Sequence, residues 1–379
     1  MYLLILTTIF LSHFSLSPDT MTETPEACSL LDFDRSNMFE VLKNFPAQVR
    51  EGIAIGEAAP YFQDSSRFPL LVFAGMGGSA IAGDLLRCTL QGYGADDFAV
   101  IVNRTYGLPS GVNSNTAFIG SSYSGNTEET LASYQAALGK TKRLLCIATG
   151  GELKKRADTD GVPLITIPDG LQPRCAVGYS LMPVLMTLLS HGAITGEAHK
   201  ALSQSLRTLP EFLDAKAQEY SQPDASNPAF ALAERLRGTI PVFYSAPVLE
   251  AVNLRWRGQI QENGKHLAFG NIVPEMNHNE INSWVLPGDL TKRFSIVFLR
   301  TPDTLNRMAV RFQATKNILQ ERAKNFIEIH AEGSNLVEQM FSLVYLADWT
   351  SYWLALLNDQ DPTEIKDILT LKTAMTANS

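Results

Sequence analysis

Charge is sparse in this chain, and cysteine is sparser still. Only 18% of the residues are charged, the net charge is −8, and lysine and arginine form no run longer than Lys154-Lys155-Arg156. A protein built to follow a nucleic-acid backbone would show a larger basic cluster, so no nucleic-acid partner is expected. The four cysteines (Cys28, Cys88, Cys146 and Cys175) are scattered without CxxC spacing. They read as reduced thiols in a reducing compartment. The six histidines (His13, His191, His199, His266, His278 and His330) show no HExxH or other ligand spacing, so no metal is expected. There is no GxxxxGKS/T pattern, which argues against a nucleoside triphosphate. Nor is any apolar run long enough for a bilayer: the first 17 residues contain about twelve apolar ones. That run also lacks the basic start and small-residue cleavage site of a secretion signal. Met21 opens an ordinary polar stretch, so the first 20 residues are expected to be an over-long start or a disordered tail. The protein is expected in the cytoplasm, with no membrane partner.

A hydrophobic content of 45% over 379 residues describes a globular protein with more than one core, and two domains is the natural division. Helical periodicity runs over 36–58. Short apolar strands are expected at 70–74, 99–102, 116–120, 143–148 and 164–167, with helices at 79–90, 127–138, 153–157 and 176–190 between or after them. A further helical stretch ends near residue 220, where the Pro-, Ser- and Asn-containing segment 221–228 reads as a linker. The pattern then restarts, with strands at 240–244, 295–299 and 326–330 and helices at 249–261, 305–320 and 335–357. A last helix follows Asp361-Pro362-Thr363. Strands alternating with helices predict an α/β protein whose parallel sheets are covered on both faces. The expected division is a tail over 1–35, a first α/β domain over 36–220, and a second over 229–379 that includes the C-terminal helix.

Two strand-to-helix turns have the chemistry to hold an anion. The first, Gly75-Met76-Gly77-Gly78-Ser79-Ala80, lets the backbone approach a ligand and points helix-start N–H groups at it. It also matches a dinucleotide fingerprint, but the position about 20 residues on reads Val102-Asn103-Arg104, with no carboxylate for a ribose. NAD is thereby disfavoured, while NADP, held through Arg104, stays open as an alternative. The second turn, Ser121 to Thr127, places three serines, a threonine and a glycine in seven positions. Asn126 with Glu129 has helix-capping spacing, yet capping alone needs fewer hydroxyls. Neutral donors with helix N–H groups suit a phosphate monoester.

The residues most apt for chemistry are Glu262, in Gln261-Glu262-Asn263-Gly264-Lys265, and His278, in a loop sixteen residues on. A glutamate serves as a base on carbon if burial or an apolar wall raises its pKa, and a histidine carries protons near neutral pH. Arg174, in Gln172-Pro173-Arg174, is a lone cation suited to an oxyanion if it lies in a cleft. Blander readings stand beside these: a helix-end carboxylate, a loop histidine, a surface salt bridge. His266 is a second candidate for the histidine's role.

The segments 75–84, 121–130, 170–178, 261–266 and 274–281 together resemble the sugar isomerase (SIS) fold, and in particular the bifunctional phosphoglucose/phosphomannose isomerase family. These segments run in order from residue 75 to residue 281. The resemblance implies two doubly wound SIS lobes and an aldose–ketose isomerase acting on glucose 6-phosphate and mannose 6-phosphate, with fructose 6-phosphate as the common product. It implies Glu262 as the proton-transferring base, His278 as the ring-opening group, Arg174 beside the enediolate, and Lys366 as an aid to ring opening. Gly78, Ser79, Ser122, Ser124 and Thr127 would contact phosphate and sugar. No cofactor is implied. A homodimer is, with His278 contributed across the interface. Two rivals remain: a sugar-phosphate sensor without catalysis, and another phosphosugar isomerase of the same fold.

Overall fold

The computed structural model describes residues 30–302 and 306–377. The expectations for the N-terminal tail and for Cys28 lie outside them. Five strands build the first sheet: β1 (Leu70–Ala74), β2 (Ala99–Asn103), β3 (Thr116–Ser121), β4 (Arg143–Ala148) and β5 (Leu164–Thr166). Their spatial order is β2-β1-β3-β4-β5, and every pairing is parallel, with Leu70 beside both Ala99 and Thr116. Four more form a second parallel sheet in the order β7-β6-β8-β9: β6 (Ile240–Ser245), β7 (Phe269–Ile272), β8 (Phe294–Arg300) and β9 (Asn325–His330). Strands β3 and β4 are buried along their whole length, as continuous apolar runs in a doubly covered parallel sheet should be.

The first-half helices are α1 (Met38–Lys43), α2 (Phe45–Glu57), α3 (Gly77–Gly92), α4 (Glu128–Leu138), α5 (Gly151–Asp160), α6 (Val177–Ser190) and α7 (Gly196–Tyr220). The rest are α8 (Pro228–Leu236), α9 (Glu250–Glu262), α10 (Gly288–Thr291), α11 (Asn306–Leu319), α12 (Leu336–Leu357) and α13 (Lys366–Ala377). None of the described helices is long and apolar enough to cross a membrane.

Side chains alternate across each strand, so each sheet contributes to two cores. Val72, Phe118 and Cys146 pack with Tyr134 and Leu153 on the outer face of the first sheet. Val242, Ile296 and Phe298 do the same with Trp284 and Phe312 on the second. The opposite faces, through Phe73, Ile119, Ile147, Phe243, Val297 and Ile327, share one continuous core with α12. That helix is buried from Val337 to Leu356, which explains its predominantly apolar sequence on every face.

Several elements differ from the sequence reading. The helix expected over 36–58 is two, because Asn44 ends α1 and Pro46 sits in the first turn of α2, where its missing N–H costs nothing. Strand β7, lying at a sheet edge with Phe269 exposed, lacks an apolar run and was not anticipated. Helix α8 begins inside the expected linker. Asn227 is buried there, accepts from the N–H groups of Ala229 and Phe230, and donates to the carbonyls of Tyr220 and Gln222. The segment 221–227 is thus a turn anchored by buried Ser221 and Asn227, with Gln222, Asp224, Ala225 and Ser226 exposed between them.

Helices α2 and α6 approach too closely for side chains between them. A Cβ on Gly52 would lie 2.8 Å from the Gly178 carbonyl oxygen, and one on Gly56 would lie 2.6 Å from that of Pro183. The same contact lets Gln48 donate to the Cys175 carbonyl (3.0 Å) and accept from the Gly178 N–H (2.8 Å), which holds the backbone next to Arg174. Gly56→Ala should therefore destabilise the protein by about 1–3 kcal/mol through overpacking against backbone. Helix propensity would favour alanine by only about 1 kcal/mol. Urea unfolding should show a lower midpoint at unchanged slope; an unchanged or raised midpoint would contradict the packing argument.

Candidate active site

In a doubly wound parallel sheet, ligands bind beyond the carboxyl ends of the strands, where the strand order reverses. The order β2-β1-β3 places that point between β1 and β3. The two turns singled out above, after Ala74 and after Ser121, leave the sheet there side by side. Ser79 joins them by accepting a hydrogen bond from the Tyr123 N–H at 3.0 Å.

Both helices that start at this point, α3 and α4, have no side-chain cap. Their first N–H groups and the positive ends of their dipoles are left to meet an anion. Gly77 takes φ +49° with nothing within 4 Å of a notional Cβ, and Gly78 packs with that position 2.5 Å from the Pro173 carbonyl oxygen. The loop before α4 closes at Gly125 (φ +71°), where a Cβ would lie 1.9 Å from the Gly150 carbonyl oxygen. Ser122 is fully buried and donates to Thr127 Oγ1 at 2.9 Å. Ser79 and Ser122 therefore brace the cradle, whereas Ser124 is exposed and Thr127 partly so. Asn126 does not cap α4; its Oδ1 accepts from the Glu152 N–H at 3.0 Å, at the start of α5.

Beside the cradle is a cleft of about 170 Å³ lined by Gly77, Gly78, Arg104, Arg174 and one face of α9. That face is Leu254, Arg255, Gly258, Gln259 and Glu262, the spacing of a single helical stripe. A larger groove of about 330 Å³ lies between α2, α6 and α7, but none of its lining residues follows the carboxyl end of a strand. The expected base and cation meet in the smaller cleft.

Arg174 is 2% exposed, and four of its five N–H groups are engaged. Nη1 donates to Glu262 Oε1 at 2.9 Å, and Nε to Asn263 Oδ1 at 2.5 Å. Nη2 donates to the carbonyls of Pro362 (2.9 Å) and Thr363 (3.0 Å). Glu262 is one-third exposed and faces this guanidinium. Its charged neighbour is a cation, while Ile81 and Leu254 line the same cleft. Below it, Arg255 donates to the Arg174 carbonyl (3.0 Å) and to Asp348 (2.8 Å), whose other oxygen accepts from Gln259 (2.9 Å). Burial pushes the Asp348 carboxyl above its ordinary range, against the pull of Arg255 and Gln259. Arg104, weighed earlier as a possible NADP contact, lines the same cleft and is paired with Asp84.

The remaining expected residues lie apart. His278 is exposed at the end of a short 3₁₀ turn beyond β7 and does not line the cleft. Lys366 opens α13, 77% exposed and 2.7 Å from Glu364. His266 is partly exposed, its ring nitrogen beside the Leu267 carbonyl. Arg255, Gln259 and Asp348 were not foreseen. The stripe of Arg255, Gln259 and Glu262 at i, i+4, i+7 was the available signal, since three polar groups share a helix face that otherwise adjoins core.

A family model for the bacterial phosphoglucose isomerase C-terminal SIS domain matches residues 225–375. A bifunctional phosphoglucose/phosphomannose isomerase of Caldicellulosiruptor bescii is 38% identical over 336 residues, covering 88% of this chain and 98% of that one. The chain belongs to the bifunctional phosphoglucose/phosphomannose isomerase family. It is a phosphosugar isomerase. A D-glucosamine-6-phosphate 4-epimerase of Sulfolobus acidocaldarius is 30% identical over 248 residues, covering 65% of this chain and 71% of that one. Among solved structures, a glucose-6-phosphate isomerase like protein from Thermus thermophilus shares the fold. Its TM-score is 0.60 at 20% identity, with 89% of this chain and 96% of that one covered.

Lysine cannot reproduce the four directions in which Arg174 donates. Arg174→Lys should leave Asn263 Oδ1 and the 362–363 carbonyls short of donors, at a cost of about 1–3 kcal/mol. Urea titration should show the lower midpoint; a variant as stable as the parent would mean that these bonds do not hold the site together.

Proposed function

We propose that the enzyme interconverts glucose 6-phosphate and mannose 6-phosphate with fructose 6-phosphate through a cis-enediol(ate), with Glu262 as the single base. The observation that carries this reading is the Arg174–Glu262 pair at 2.9 Å in a cleft beside two uncapped helix starts. The substrate phosphate sits on those N–H groups and on Ser124 and Thr127, within the loops braced by Ser79, Ser122 and Gly78. Remote binding of this kind orients the sugar for the slow step.

His278, assisted by Lys366, moves a proton from the anomeric hydroxyl to the ring oxygen and opens the ring. Glu262 then takes the proton from C2, next to the C1 aldehyde, and Arg174 holds the negative charge that develops on oxygen. The protonated carboxyl returns the proton to C1 while the O2 proton passes to O1, leaving the C2 ketone. Loss of the C2 proton erases the configuration that separates glucose from mannose, so one enediol serves both. No step requires a metal or a redox cofactor.

The reading includes a homodimer in which His278 completes the partner's cleft. Its support is a surface near His278 that one copy leaves uncovered: the edge strand β7 with Leu267 and Phe269, and the following turn with Val285, Leu286 and Leu290, all exposed. A cytoplasmic location accompanies it. The 4-epimerase relative favours a second reading, in which the cleft takes an amino-sugar phosphate.

Coupled assays on glucose 6-phosphate and mannose 6-phosphate, each with EDTA present, test the first reading against the second. Both sugars should turn over, and Glu262→Gln should lower both kcat values by about 10²–10⁴-fold with KM little changed. Full activity of the variant, or turnover lost to chelator and restored by zinc, would overturn the mechanism. Glucosamine 6-phosphate as the only sugar converted would favour the epimerase reading. For the dimer, His278→Ala and Glu262→Gln chains should each be nearly inactive alone. After mixing and re-equilibration they should recover about a quarter of the parent activity, as statistical pairing requires. No recovery would place His278 in its own chain's cleft or outside the reaction.

A further inference from the structure

Lys265 stands three residues beyond Glu262 at φ +52°, in the left-handed region that L-residues seldom enter. The preceding Gly264 packs against the end of α9 so closely that a Cβ would lie 2.7 Å from the Ile260 carbonyl oxygen. The chain thus folds back on its own helix. Lys265 Nζ donates to the carbonyls of Glu262 (2.7 Å), Asn263 (3.1 Å) and Pro362 (3.0 Å). The first two lie at the negative end of α9, where a cation is favoured. The third belongs to the segment 361–365 that leads into α13, and Arg174 Nη2 donates to the same oxygen. Lys265 is exposed as a residue, but its ammonium turns all three N–H groups to carbonyls and has no donor to spare for a substrate phosphate.

We infer that Lys265 is a positioning residue. Its ammonium pins the end of α9 to the segment 361–365 and so holds the Glu262 carboxylate in a fixed relation to Arg174. The inference rests on Glu262 being the base. The charged groups facing the ammonium are Arg174 from the turn before α6, Glu262 on α9, and Asp361 and Glu364 from the segment. Burial first, and Arg174 second, push the ammonium down to about 8 despite the three carboxylates. The pin carries its charge below that pH and loses it above, when two N–H groups remain for three carbonyl oxygens.

The test is kcat and KM against pH, from about 6 to 10, for the parent, Lys265→Arg and Lys265→Met, with urea midpoints for each. Parent kcat should fall by about 3–10-fold as the pH rises through about 8, with KM changed less than about twofold. Lys265→Arg, charged throughout, should remove that decline. Lys265→Met should sit near the parent's high-pH level at every pH. Parent-like kcat at neutral pH in Lys265→Met, or an unchanged decline in Lys265→Arg, would overturn the inference. Should Lys265→Met fail to fold, Lys265→Arg alone still decides. Glu262→Gln assayed alongside keeps the two ideas apart: undiminished turnover there removes the base, whereas the Lys265 profiles bear only on the pin.

Discussion

The guanidinium of Arg174 is the interaction on which the arrangement of the cleft depends. It issues from a turn after the first sheet, reaches Glu262 and Asn263 at the end of a helix from the second half, and closes on the carbonyls of Pro362 and Thr363 near the C-terminus. A buried cation is costly unless its donors are satisfied, and here one side chain meets that demand with partners from two remote segments, the farther 189 residues along the chain. Three parts of the chain therefore cannot move independently at the site. Arg255 extends the same logic downward, since it binds the Arg174 carbonyl and anchors on buried Asp348 of α12.

The two uncapped helix starts and the arginines supply what the overall composition withholds. A chain of net charge −8 would repel a phosphate ester at large, yet Arg104, Arg174 and Arg255 converge on one small cleft. Local fields inside a low-dielectric wall outweigh the distant surface charge, which solvent and salt screen. The carboxylates paired with these cations, Asp84, Glu262 and Asp348, hold them in place, and only Glu262 is substantially open to the cleft.

Much of the architecture was legible because parallel strands buried on both faces must be short apolar runs. Strands β1 and β4 match the expected bounds, and β3 runs one residue longer. Strand β7 escaped notice because an edge strand with one open side has no such requirement, and Phe269-Gly270-Asn271-Ile272 carries no clear pattern. Helix α8 escaped because Asn-Pro reads equally as a loop and as a capped helix start, and only burial of Asn227 separates the two. At the site, Gly75–Ser79 and Ser121–Thr127 were legible through composition. The roles within the cradle were not, because Ser122 and Ser124 differ in exposure, not in kind.

Local sequence was enough to indicate an α/β chain with parallel sheets and two anion-ready turns, and to single out a glutamate, an arginine and a histidine as candidates. These follow from periodicity, turn chemistry and side-chain type, which act over a few residues. Tertiary packing alone made Glu262 the neighbour of Arg174, recruited Arg255, Gln259 and Asp348, and left His278 and Lys366 outside one copy's cleft. Those outcomes turn on which side chains from remote segments share a low-dielectric space, and no local pattern encodes that.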